Sequence, residues 1–105
     1  MQRGDSEHAL EAFGSALASV PTYSEAWAGR GIAYRNRGQL QDAIAAFKKA
    51  IETNSNFADA WLSLGLTFEE LGNRADALQA FTQARDKATT SSVREQAQSG
   101  LQRLK

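Results

Sequence analysis

The sequence predicts an all-α protein: an α-solenoid of helix–turn–helix repeats with a C-terminal capping helix. Three observations carry that expectation. The 105 residues include 19 alanines but only two valines and three isoleucines, a balance suited to helices and poor in the β-branched residues that sheets favour. Large and small apolar residues recur at a fixed step of 34, and self-similarity of that length marks stacked supersecondary units. Inside each unit the apolar positions follow a helical period rather than strand alternation.

The recurrence falls on residues that shape packing. Trp27 and Trp61, Gly31 and Gly65, and Tyr34 and Phe68 are pairs at this step. Triplets follow it too: Gly4, Gly38 and Gly72; Ala9, Ala43 and Ala77; Phe13, Phe47 and Phe81; Ala16, Ala50 and Ala84. Residues 24–57 aligned on 58–91 share nine identities, which include the tryptophan, both glycines and the phenylalanine.

Taken in order, residues 4–23 read as the second half of a unit whose first helix is nearly absent. Residues 5–18 should be helical, with Leu10, Phe13 and Leu17 apolar. That face is expected to be only partly covered, as in a fragment of a longer array or a site that a partner covers. Residues 24–57 form a full repeat. Trp27, Gly31 and Tyr34 lie on one helix face at i, i+4, i+7, and Ala43, Phe47, Ala50 and Ile51 form a second stripe. Gly38 between them suits a left-handed helix cap, and Thr22-x-x-Glu25 matches a capping box at the start. Residues 58–91 repeat the pattern, with Asn56-x-x-Asp59 as a looser start signal. Residues 92–105 differ. Val93, Ala97, Leu101 and Leu104 make one apolar stripe without an aromatic, and Arg94, Glu95, Gln98, Gln102 and Arg103 lie elsewhere on the wheel. With Ser92-x-x-Glu95 as its start, this segment has the one polar face expected of a terminal cap. The whole, 1–105, is read as one domain. Glycine at 31 and 65 and alanine at 43 and 77 remove bulk where helices cross, and the rings of Trp27, Tyr34 and Phe47 are expected to fill space between neighbouring units.

These residues resemble the tetratricopeptide repeat, TPR, whose signature is W-x2-L-G-x2-Y, then A-x3-F, then P. Trp61-x2-Leu64-Gly65-x2-Phe68 and Ala77-x3-Phe81 match closely. Trp27-x2-Arg30-Gly31-x2-Tyr34 and Ala43-x3-Phe47 match with Arg30 in place of leucine, and Ala9-x3-Phe13 with Pro21 matches the second half of an earlier unit. Ser55 and Thr89 stand where the family often has proline. The resemblance covers residues 4–88 and implies antiparallel helix pairs wound into a right-handed superhelix.

The resemblance also implies a concave groove, lined by the first helix of each repeat, that holds a peptide or partner helix. The matching positions are Glu25, Ala28, Ile32, Arg35 and Asn36 in one repeat and Asp59, Leu62, Leu66, Glu69 and Glu70 in the next. Ala28, Ile32, Leu62 and Leu66 would give an apolar floor; Arg35, Glu69 and Glu70 would form a rim, where Arg35 and Glu69 occupy equivalent places and can pair. Members that clamp acidic carboxy-terminal tails carry lysine and asparagine at this groove. An apolar floor does not suit such tails, so no tight binding of them is expected, and a partner with a basic flank suits Glu69 and Glu70.

The expected function is a non-enzymatic adaptor or scaffold for a protein or peptide partner. The alternative is a self-association module, in which the incompletely covered half-repeat drives homo-oligomer assembly. No cofactor is implied. His8 is the only histidine and reads as a solvated residue. Gly29-Arg30-Gly31 lies in a helical pattern, lacks a third glycine at the right offset and follows no strand, so it is no dinucleotide fingerprint. Glu69 and Glu70 are adjacent and point about 100° apart on a helix, which prevents convergence on a metal. Zero cysteines exclude thiolate sites and nucleophiles.

Net charge is zero, but it is a cancellation of −2, +2, −2 and +2 over 1–23, 24–57, 58–91 and 92–105. It supplies no basic field for nucleic acid. The longest all-apolar run, Ala43 to Phe47, is far below the ~20 residues of a membrane helix, and MQRGDSEHAL has no apolar core of a signal peptide. The expected setting is cytoplasmic, with the periplasm or a larger parent protein as the alternatives.

Overall fold

The structure is a computed structural model and describes residues 9–12, 14 and 23–105. Five helices follow one another: α1 (Ser24–Asn36), α2 (Leu40–Thr53), α3 (Ala58–Glu70), α4 (Arg74–Lys87) and α5 (Ser91–Arg103). Residues 9–12 and 14 are also helical, and no strand occurs among the described residues. Leu10 is half-buried; Gly4, His8, Phe13, Leu17, Pro21 and Thr22 lie outside the described residues. The chain divides into two compact units, Met1–Ser55 and Asn56–Lys105.

In the first unit α1 packs on α2. A β-carbon added to Gly31 would stand 2.6 Å from the Phe47 ring, so the bare backbone of α1 is what lets α2 approach. Phe47 is fully buried, with Ala43, Ala46 and Ala50 beside it on α2 and Ala26 and Ala33 across on α1. The phenylalanine therefore packs inside the hairpin of α1 and α2. Arg37 and Gly38 turn the chain. Gly38 takes φ +78°, a left-handed conformation that costs other residues about 1–2 kcal/mol. Gly38 N–H donates to Arg35 O at 2.9 Å and Gln39 N–H to Tyr34 O at 2.9 Å, satisfying carbonyls that a helix end leaves orphaned.

The second unit repeats this turn 34 residues on. Gly72 has φ +77°, Gly72 N–H donates to Glu69 O at 3.0 Å, and Asn73 N–H donates to Phe68 O at 2.9 Å. Here α3 packs on α4, and α5 packs on both. Phe81, fully buried on α4, meets glycine on two sides: a β-carbon would be 2.8 Å from the ring at Gly65 and 2.7 Å at Gly100. Thr67, the one fully buried polar side chain among the described residues, donates from Oγ1 to Ser63 O at 2.8 Å. That bond removes the cost of burying an unpaired hydroxyl.

Several helix starts differ from the capping boxes expected. Asn56 does not cap α3; Phe57 holds that position without a side-chain bond, and Asn56 Oδ1 instead accepts from Lys87 Nζ at 3.4 Å. Ser92 does not cap α5. Thr90, extended at φ −124°, does so, its Oγ1 accepting from Val93 N–H at 3.3 Å, and Ser92 Oγ accepts from Gln96 Nε2 at 3.2 Å. Tyr23 stands at the N-cap of α1 without a side-chain bond. The clearest box is one not expected: Asn73 Oδ1 accepts from Asp76 N–H at 3.5 Å and its Nδ2 donates to Asp76 Oδ2 at 2.6 Å.

Candidate partner-binding surface

Two helix faces carry the ten expected positions, one in each unit. On α1, Glu25, Ile32 and Asn36 are exposed and Arg35 is half-buried, whereas Ala28 is buried. Ile32 is 45% exposed, the largest exposure of any big apolar side chain among the described residues. On α3, Asp59 and Glu70 are exposed, Leu66 and Glu69 are half-buried, and Leu62 is buried. The four-residue apolar floor thus contracts. Ala28 and Leu62, each 7% exposed, are spent on the fold, and the apolar surface offered by these faces comes from Ile32 in one unit and Leu66 in the other.

Arg30 shows what the departure from leucine does. Its guanidinium carbon stands 5.7 Å from the Trp27 ring centroid and 5.6 Å from that of Tyr34, within the range of cation–π attraction. Trp27, three residues before, and Tyr34, four after, are its neighbours on the helix surface. Its Nε is buried without a hydrogen-bond partner.

Leu66 lies in a cleft of about 330 Å³ between α3 and α5, whose other lining residues are Ser92, Glu95, Gln96, Ser99 and Arg103. Arg103 closes one side through a two-point bond to Glu69: Nη2 to Oε1 at 2.7 Å and Nε to Oε2 at 2.9 Å. Paired hydrogen bonds of this kind are among the stronger ion-pair geometries. They hold the Glu69 carboxyl below its ordinary value of 4.5; the hydrogen bond from Arg103 is the main cause, partial burial opposes it, and the charge of Arg103 adds to it.

The contribution of α5 is what the sequence reading missed. A terminal cap is expected to turn its polar face to solvent, yet part of that face lines the cleft with Leu66. The signal was present: Ser92, Gln96, Ser99 and Arg103 are spaced i, i+4, i+7, i+11, a polar stripe of helical period. Among the described residues no group of three or more His, Cys, Asp or Glu is placed to hold a metal ion. No helix among the described residues is long and apolar enough to cross a membrane.

The paired helices, the recurring glycine turn and the glycine–phenylalanine contacts define a helical-repeat protein. A family profile described as TPR repeat matches residues 31–72 and one described as tetratricopeptide repeat matches 59–91; the chain belongs to the tetratricopeptide-repeat family. No curated protein sequence matches it significantly. Among solved structures it is similar to the type III secretion translocator chaperone SycD of Yersinia enterocolitica, at 16% identity and TM-score 0.89 over 96% of this chain and 72% of that one. It is similar to the first TPR of Spaghetti (RPAP3) bound to the HSP90 peptide SRMEEVD, at 15% identity and TM-score 0.87 over 96% and 78%. It is also similar to the TPR2B domain of yeast Sti1 in a complex with an Hsp70 peptide, at 21% identity and TM-score 0.83 over 95% and 86%. These identities speak to the fold.

Proposed function

We propose that the chain is a non-enzymatic protein-interaction module that holds a peptide or helix of a partner against the exposed face of α3, and that the exposed face of α1 offers a contact surface of its own. The observation that carries the reading is Leu66, a half-buried apolar side chain in a cleft otherwise lined by polar groups. An apolar side chain ringed by polar groups can anchor a partner residue while its rim supplies hydrogen bonds, the arrangement of protein interfaces in miniature. The fold supports the same reading, since SycD has been solved with a peptide of the translocator YopD and Spaghetti with an HSP90 peptide. The contact positions proposed are Glu25, Ile32, Arg35 and Asn36 on α1 and Asp59, Leu66, Glu69 and Glu70 on α3, with Ala28 and Leu62 supporting them from beneath.

An array of immobilised peptides of varied sequence, probed with the purified protein and with Leu66→Glu, tests this. Wild-type protein should bind a defined subset, and Leu66→Glu should lose those spots while keeping its helical circular dichroism and its melting transition. An array on which no sequence binds, or a pattern unchanged by Leu66→Glu, would count against it. The peptide SRMEEVD should not bind tightly, because the equivalent groove positions Ala28, Ile32, Leu62 and Leu66 carry apolar groups in place of the lysine and asparagine that would hold its carboxylates.

A further inference from the structure

We infer that the α3–α5 cleft selects a partner segment in which an apolar side chain is flanked by a basic one, and that Glu95 is the residue that reads the base. This rests on the protein-interaction reading above and adds the chemistry of the partner to it.

Charge complementarity carries the inference. The cleft offers one apolar group, Leu66, three neutral hydrogen-bonding side chains, Ser92, Gln96 and Ser99, and two charged ones, Glu95 and Arg103. Arg103 is the one cation lining it, and Glu69 occupies two of its N–H donors at 2.7 and 2.9 Å. Its positive charge is therefore already balanced. Glu95 is exposed, and no ion pair involves it among the described residues. On α3, Asp59 and Glu70 fall within about 40° of Leu66 at 100° per residue, so they flank the same face. Of the two charged side chains that line the cleft, Glu95 and Arg103, only Glu95 carries a charge that no ion pair balances.

An acidic segment brought to this cleft would meet the Glu95 carboxylate, while the one cation that lines the cleft is already engaged by Glu69. A lysine or arginine would gain an attraction there at little cost in desolvation, because Glu95 remains in water. The volume, near the lower end of the usual range for recognition pockets, fits one anchoring side chain and its neighbour. The chemistry therefore selects an apolar residue with a base one or two positions away along an extended segment or one turn away along a helix.

The test uses three short peptides that share one leucine in a glycine–serine background and differ in its flanks, which are lysines, serines or glutamates. Each is titrated into the isotope-labelled protein and followed through the backbone amide signals of Leu66, Glu95 and Ser99. The lysine-flanked peptide should bind most tightly, move these signals, and weaken as salt is raised. Glu95→Gln should weaken it by about two- to fivefold, within the range of a single exposed charge contact, and should leave the serine-flanked peptide unaffected. Arg103→Gln should tighten the lysine-flanked peptide, because it releases Glu69 into the cleft. Equal or tighter binding of the serine- or glutamate-flanked peptide, or no effect of Glu95→Gln, overturns the inference while leaving the interaction module standing. An array on which no sequence binds removes both.

Discussion

Gly65 lies so close beneath the ring of Phe81 that a β-carbon added to it would stand 2.8 Å away. Ordinary carbon contacts sit at about 3.5–4.0 Å, and Phe81, fully buried, has no open direction in which to swing. Gly65→Ala is therefore expected to destabilise the protein by about 1–3 kcal/mol, even though alanine is the better helix former by about 1 kcal/mol. Urea denaturation measures the change, and an unshifted midpoint would mean that the ring can yield. Adding Phe81→Leu should recover part of the loss, so the two substitutions should not be additive.

Burial separates two aromatics that the repeat pattern treats alike. Phe47 is fully buried and Phe47→Ala should cost about 3–5 kcal/mol. Trp61 keeps part of its surface in water, so Trp61→Ala should cost less than the full-burial value despite the larger side chain. Thermal melts of the two variants, compared directly, check the order; a larger loss at Trp61 would show that its contacts outweigh its exposure.

Arg30→Leu restores the family residue and should raise stability. The change removes a buried Nε that has no hydrogen-bond partner, a penalty of about 1–3 kcal/mol. It gives up cation–π contacts with Trp27 and Tyr34 worth about 0.5–1 kcal/mol at a partly exposed site. A higher melting temperature for the variant is the expected result, and a lower one would assign the larger share to the ring contacts.

The Glu69–Arg103 pair predicts a weak acid dependence. The carboxyl is held below its ordinary value of 4.5 in the folded protein, so its contribution is present above that pH and is lost as pH falls through the lower folded value. The pair is partly exposed, with side-chain exposures of 49% for Arg103 and 24% for Glu69, which limits it to about 1 kcal/mol or less. Arg103→Gln should lower stability by that amount at neutral pH and converge with wild type in acid. Denaturation curves taken across that range check it, and a constant difference down to strong acid would place the effect in packing.

The fold was legible because the 34-residue step fell on residues with distinct physical jobs. Gly38 and Gly72 had to turn the chain, and Gly31 and Gly65 had to make room for a ring. The candidate surface was less legible for two reasons. Helical position told which side chains share a face of α3, but not that Leu62 is consumed by the core while Leu66, one turn on, stays half-open. And periodicity points to Arg35, in the preceding repeat, as the partner of Glu69, whereas both its oxygens are held by Arg103, on a helix outside the repeat pattern. Helix starts were misplaced for a similar reason. Ser92-x-x-Glu95 and Thr90 offered competing oxygens, and the backbone angle that chose Thr90 is not written in the pattern.

The ring of Phe81 is pressed between bare backbone at Gly65 and at Gly100, which sets a minimum size for cooperative folding in that half of the molecule. A hairpin of α3 and α4 alone would cover one flank of the ring and leave the flank facing α5 in water. The smallest segment that folds as one unit there should accordingly be three helices, so that amide exchange in α4 and α5 would report a single opening event.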